Sequence, residues 1–134
     1  GGFTTQIFAG GGAETLDGSL SSANNIFHGG TGKDLIVGGI GNDTLIGGSG
    51  ASTMMGAAGK DTFEFMRGMA GHTTIIDFSA IEGDKVKLLG YGGNEVQGAL
   101  QTAHTTAAGT TITLSDNTKI TFADVSQLTK GNFS

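Results

Sequence analysis

The chain has 134 residues, 26 of them glycine, with no cysteine, proline or tryptophan and a formal net charge of −5. That charge speaks against nucleic acid and anionic membrane surfaces as partners, and the lack of cysteine removes both a disulfide framework and a thiolate metal site. So much glycine would suit a flexible linker, but here it recurs at fixed spacing among Ile, Leu, Val and Phe, which predicts a folded repeat.

Thr4–Phe8 reads as a first strand with Ile7 or Phe8 inward. A nine-residue register then begins in degraded form. Ala9–Asp17 places Glu14 in its sixth slot, and Gly18–His28 carries two extra residues and places Asn25 there, followed by Ile26 and Phe27. From Gly29 the register is clear: GGTGKDLIV, GGIGNDTLI, GGSGASTMM and GAAGKDTFE run without a break to Glu64. The sixth position is Asp34, Asp43, Ser52 and Asp61, and the eighth is Ile36, Leu45, Met54 and Phe63. Six turn-like residues predict a tight turn at positive φ, which glycine adopts at little cost. The other three predict a short strand whose central apolar residue points inward. Two units then make one coil of roughly 18 residues, and coils stack ~4.8 Å apart as parallel strands. Ladders of Ile36 on Met54 and Leu45 on Phe63 would form a thin core. At ~25 cal/mol per Å² it scarcely offsets the ordering of so many glycines, so a further staple is expected.

The second half leaves the register. Thr73–Phe78 and Lys85–Leu89 read as strands, and Glu95–Ala103 as a short helix capped by Asn94 with Val96 and Leu100 on one face. Thr111–Leu114 and Lys119–Phe122 alternate as a hairpin around Ser115–Thr118, and Asp124–Leu128 reads as a last helical turn. The predicted fold is all-β: a right-handed parallel β-roll (a β-solenoid) over 1–67, closed by a β-rich capping unit over 68–134 that shields its open end.

The staple follows from the acids. Asp43 and Asp61 are two repeats apart, so stacking brings their carboxylates to one edge, and Asp34 with Ser52 forms the equivalent pair on the opposite edge. Stacked carboxylates repel unless a cation lies between them. Carboxylates and turn carbonyls make an all-oxygen donor set, which suits Ca²⁺ better than Mg²⁺ with its strict octahedron. His28, His72 and His104 share no ligand spacing, and Met54 sits in an inward slot as core filler.

GGTGKDLIV and GGIGNDTLI resemble the RTX nonapeptide G-G-x-G-x-D-x-U-x, in which U is a large apolar residue. Asp61–Gly90 is similar to the region after the last repeat of secreted metalloproteases, lipases and alginate epimerases, and Gly109–Leu128 resembles their C-terminal tail. The resemblance implies several Ca²⁺ ions, held by carbonyls at positions two and four and the Asp of one loop. Positions one and three and the Asp of the loop after next complete each site. Carried over, this implies one site from Gly39, Gly41 and Asp43 with Gly56, Ala58 and Asp61. A second joins Gly30, Gly32 and Asp34 to Gly47 and Ser49, weakened by Ser52. A third joins Asn25 to Gly38, Ile40 and Asp43, and a fourth joins Gly12 and Glu14 to Gly29, Thr31 and Asp34. Asp77 and Asp84 match acidic positions that cap the last site, although Thr73 stands where a further Asp is expected.

No G-x-S-x-G, H-E-x-x-H or carboxylate pair outside the calcium ladder is present, so the chain is read as non-catalytic. It opens at Gly1 without methionine and is read as a piece of a larger parent, to which any enzymatic activity would belong, with neither a cleaved signal nor a membrane span. The resemblance implies secretion by type I machinery into an extracellular or cell-surface setting. Extracellular-type calcium sites have dissociation constants of ~10⁻⁴–10⁻³ M, so the chain would stay unfolded in the cytoplasm and fold outside. The alternative is a module for polysaccharide binding or for surface-layer or adhesin assembly. The basic residues available for an anionic polymer, Lys33, Lys60, Arg67, Lys85, Lys87, Lys119 and Lys130, are spread along the chain.

Overall fold

The computed structural model describes residues 6–133. Nine strands build the roll and its first extension: β1 (Gln6–Phe8), β2 (Thr15–Asp17), β3 (Ile26–His28), β4 (Lys33–Val37), β5 (Thr44–Ile46), β6 (Ala51–Met55), β7 (Thr62–Met66), β8 (His72–Ile75) and β9 (Lys85–Leu89). Helix α1 (Glu95–Gln101) follows, then β10 (His104–Thr106), β11 (Gly109–Thr113) and β12 (Lys119–Ala123), with a 3₁₀ turn at Lys130–Asn132. The odd strands β1-β3-β5-β7-β9 form one parallel sheet. The second sheet runs β2-β4-β6-β8 in parallel and continues through β12, β11 and β10. The result is a parallel β-solenoid of about 4 turns. No helix among the described residues is long and apolar enough to cross a membrane.

The repeat register holds. Ile36 pairs with Met54 and Leu45 with Phe63, and all four are 0% exposed. The two extra residues in Gly18–His28 do not break it, because Leu16 still pairs with Ile36 and Phe27 with Leu45. A turn in which the Ser21 N–H donates to the Gly18 carbonyl absorbs the insertion. Of the expected first strand, Gln6–Phe8 forms with Ile7 against the core, while Phe8 lies outside and stacks on His28 at 4.1 Å. Thr4 and Thr5 lie outside the described residues. The core is thicker than one side chain per strand, since β7 buries both Phe63 and Phe65.

The glycines serve a different purpose from the one expected. Among the glycines of the four clear repeats only Gly32 (φ 89°) and Gly59 (φ 98°) have positive φ. At Gly39 and Gly48 the constraint is contact: a Cβ would meet the carbonyl oxygen of Gly18 or of Gly29, in each case at 2.6 Å, in the coil below. Glycine is needed there because main-chain oxygens occupy the space of a side chain.

The second half extends both sheets of the roll, adding β9 to the first and β12, β11 and β10 to the second. β12 pairs in parallel with β8, matching Lys119 to His72 and Phe122 to Ile75, and then antiparallel with β11 as the hairpin pattern predicts. Phe78 links the halves, 6.0 Å from the Phe63 ring and 5.3 Å, edge-on, from Phe122. Three local expectations give way. Asn94 precedes α1 but makes no capping hydrogen bond, and the helix buries Ala99, with Val96 and Leu100 only half-buried. The strand expected at Thr73–Phe78 ends at Ile75. Asp124–Leu128 is not helical, because Asp124 turns into the left-handed region (φ 60°) and the chain runs on without regular structure to Thr129.

Gly12 has open space around its Cα, whereas Gly48 does not. Gly48→Ala should therefore lower the melting temperature of the calcium-loaded chain by several degrees, in the range ~1–3 kcal/mol of overpacking. Gly12→Ala should leave it nearly unchanged. Differential scanning calorimetry compares them directly.

Candidate metal centre

Stacking gathers the sixth-position side chains into two columns. Asn25, Asp43, Asp61 and Asp84 form one, and Asp34, Ser52 and Thr73, with Glu14 below them, form the other. Each of Asp43, Asp61 and Asp84 is 1% exposed and Asp34 is 4% exposed. Burial of so many carboxylates without basic partners demands explanation, since a desolvated charge costs several kcal/mol unless compensated.

Main-chain amides supply part of the compensation. The amide of one sixth-position residue donates to Oδ1 of the acid in the next coil: Asn25 to Asp43 at 2.8 Å, Asp43 to Asp61 at 2.9 Å and Asp61 to Asp84 at 2.8 Å. The second oxygen accepts from within its own turn, from Gly30 to Asp34 at 3.2 Å and from Gly39 to Asp43 at 2.8 Å. Glu14 copies this turn contact through the Gly10 amide at 2.9 Å. A parallel ladder one position earlier, Asn42 N–H to Asn24 and Lys60 N–H to Asn42, was not anticipated from the sequence. The recurrence of Asn at 24 and 42, one coil apart, was the signal for it.

The fourth repeat departs from this pattern. Ala57 replaces the second glycine and adopts φ 65°. Its amide and that of Gly56 both turn to Asp77, each at 2.8 Å. Oδ2 of Asp61 is left buried with no hydrogen-bond partner, as is the hydroxyl of Ser52 in the other column. Desolvation, followed by the neighbouring charges of Asp84, Asp43 and Asp77, pushes the Asp61 carboxyl up to about 8. Burial also raises Asp84, with Glu82 and Asp77 adding repulsion.

Around these acids the carbonyls of Gly39, Gly41, Gly56 and Ala58 receive no hydrogen bond among the described residues. The same is true of Gly30, Gly32, Gly47 and Ser49 on the opposite edge, and of Gly38, Ile40, Gly29, Thr31 and Gly12 at the remaining positions. No three His, Cys, Asp or Glu side chains converge as a metal group among the described residues. Any cation here is held mainly by main-chain oxygens, with one or two carboxylates. A buried unpartnered carboxylate oxygen beside free carbonyls fits a hard cation.

The comparisons with known proteins bear on the same residues. The family model for the RTX calcium-binding nonapeptide repeat matches residues 21–54 and 38–68. The chain carries RTX calcium-binding repeats. Such repeats bind calcium ions, and they form a non-catalytic kind of module. Among solved structures, the chain is similar to the solution structure of the AlgE6R3 subunit from the Azotobacter vinelandii mannuronan C5-epimerase, with 24% identity and a TM-score of 0.64 over 92% of this chain and 78% of that one. That likeness concerns the β-roll fold. No curated protein matches the sequence.

The raised Asp61 carboxyl gives a signed pH dependence. Without calcium, the folded RTX module keeps a proton on Asp61 up to about 8, whereas the unfolded chain loses it near the ordinary value of 3.8. The folded state then binds more protons between those limits, so metal-free stability falls as pH rises through that window. Calcium favours the carboxylate and opposes this trend. Asp61→Asn should stabilise the metal-free fold at pH 8 while raising the calcium midpoint about tenfold or more. Folding driven by an osmolyte in chelator, and by calcium without it, measures both signs.

Proposed function

We propose that this chain is a calcium-triggered folding module that supports type I secretion of a larger parent protein. In this reading residues 1–67 are the calcium-binding roll, and residues 68–134 close it and carry the export signal. The ligands are those the nonapeptide pattern assigns: Gly39, Gly41, Asp43, Gly56, Ala58 and Asp61 first, then Gly30, Gly32, Asp34, Gly47 and Ser49. Asn25 with Gly38 and Ile40, Glu14 with Gly29 and Thr31, and the capping Asp77 and Asp84 complete the set. The observation that carries this reading is the buried, unpartnered Oδ2 of Asp61 beside undonated carbonyls. An edge built this way is unfavourable until a cation arrives, so binding free energy becomes folding free energy. In a calcium-poor cytoplasm the chain stays threadable, and in a calcium-rich exterior it folds.

A second reading is a module that holds a polysaccharide. The structural relative belongs to an enzyme named for mannuronan, which supports a polysaccharide-related context for this chain as well.

Circular dichroism after metal-free refolding should show a disordered chain in chelator and a strand-rich one in millimolar calcium. Identical strand-rich spectra in both would remove the trigger.

The two columns should respond differently to substitution. Asp43 accepts amides from both Asn25 and Gly39 in an acid-rich column, whereas Asp34 lies beneath neutral Ser52. Asp43→Ala should abolish the tightest calcium step and weaken its neighbour. Asp34→Ala should affect only weaker steps, and Ser52→Asp should strengthen that edge. Calorimetric titration separates these cases, and unchanged binding in Asp43→Ala would reject the assignment.

A further inference from the structure

On the outer face of the first sheet, the register lines up Phe8, His28, Ile46, Glu64 and Lys87, one from each of its five strands. Each follows directly on a residue packed in the core, so the row points outward. Phe8 is 66% exposed and stacks on the His28 ring at 4.1 Å. Met66, 46% exposed, stands two residues beyond Glu64, and Met69 follows in the next turn. With His28, Ile46 and the turns at Gly30 and Gly48, these methionines border a trough of about 470 Å³. The strip is apolar at one end and charged at the other, and that order identifies what covers it.

We propose that this face pairs with the same face of a second copy, about a twofold axis running along β5 through Ile46. Turned about that axis, the row lies on its own reverse. The Lys87 ammonium of each copy meets the Phe8 ring of the other, a cation against an aromatic face. His28 meets the Glu64 carboxylate, and Ile46 meets Ile46. Like charges stay apart: the two Glu64 carboxylates are separated by about two strand steps, ~10 Å, and the two Lys87 ammoniums by about four. In the neighbouring outward row Lys85 meets Gln6, and its ammonium is already held by the Gly131 carbonyl. The same rotation sets Met66 over the glycine turn at Gly30 of the partner, so a side chain fills the trough. A foreign partner would give the row no reason to complement its own reverse. The contact is isologous and closes at two chains. Five strands span only about 24 Å, which places the interface at the small end and makes the dimer reversible, with a dissociation constant in the micromolar range or above. Because the row exists only in the stacked roll, association follows folding.

Sedimentation velocity of the full calcium-loaded chain, from about 1 μM to about 1 mM, should show the mass rising from one chain to two and stopping there. Ile46→Lys brings two ammonium groups together on the axis and should weaken the dimer about tenfold or more, with the circular dichroism unchanged. His28→Glu, which faces Glu64, should weaken it as well. Adding Glu64→Lys to that chain restores opposite charges and should return most of the affinity, a rescue that a merely structural effect would not give. Leu35→Lys, on the outer face of the other sheet, should associate as wild type. A single-chain mass over the whole range, a dimer indifferent to Ile46→Lys, no rescue by the paired change, or an equal loss in Leu35→Lys would overturn this face. Growth beyond two chains would overturn the twofold. All these outcomes concern the folded chain, so none of them bears on calcium-triggered folding.

Discussion

The structure depends on the close approach of main-chain oxygens along the turn edges. Parallel stacking at strand spacing places each turn directly over another, so carbonyl dipoles and buried carboxylates repeat in line with little else between them. Like partial charges at this separation repel in a medium of low dielectric. Glycine is required at the contact points because nothing larger than hydrogen fits against those oxygens, and among the described residues no lysine or arginine pairs with the buried acids, which leaves their charge to the calcium that such repeats bind. Composition, burial and calcium binding are three aspects of this one constraint.

The two edges meet the constraint unequally. One column carries three consecutive acids, Asp43, Asp61 and Asp84, joined amide to carboxylate through the coils. The other passes from Asp34 to Ser52 to Thr73 and loses its charge toward the closing half. The acid-rich edge is the one on which Asp77 draws away the amides of Gly56 and Ala57. With an alanine in a glycine position, an oxygen of Asp61 stays buried with no hydrogen-bond partner among the described residues.

Much of this was legible in the sequence. The nine-residue period placed Ile36, Leu45, Met54 and Phe63 inward, paired Asp43 with Asp61, and located the hairpin of β11 and β12. The role of glycine was misread as torsional, because positive φ is the local explanation whereas contact with a turn 18 residues away is a tertiary one. The orphaned oxygen of Asp61 depends on the conformation of Ala57, which no residue pattern specifies. Asn94 and Asp124 carried plausible local signals, but Asn94 makes no capping bond and Asp124 takes a positive φ that ends the helical pattern.

The parallel pairing of β12 with β8 has a consequence in time. Lys119 meets His72 across most of the second half, so the sheet acquires its closing strand only when the final portion of the chain is present. Contacts this distant in sequence are slow to form, because the intervening loop must be ordered first. A chain emerging N-terminus first therefore holds a complete set of repeats long before it holds β12, and one emerging C-terminus first holds β8 and β12 before its repeats are complete. Whichever end emerges first, commitment to the native state awaits the arrival of both halves on the same side.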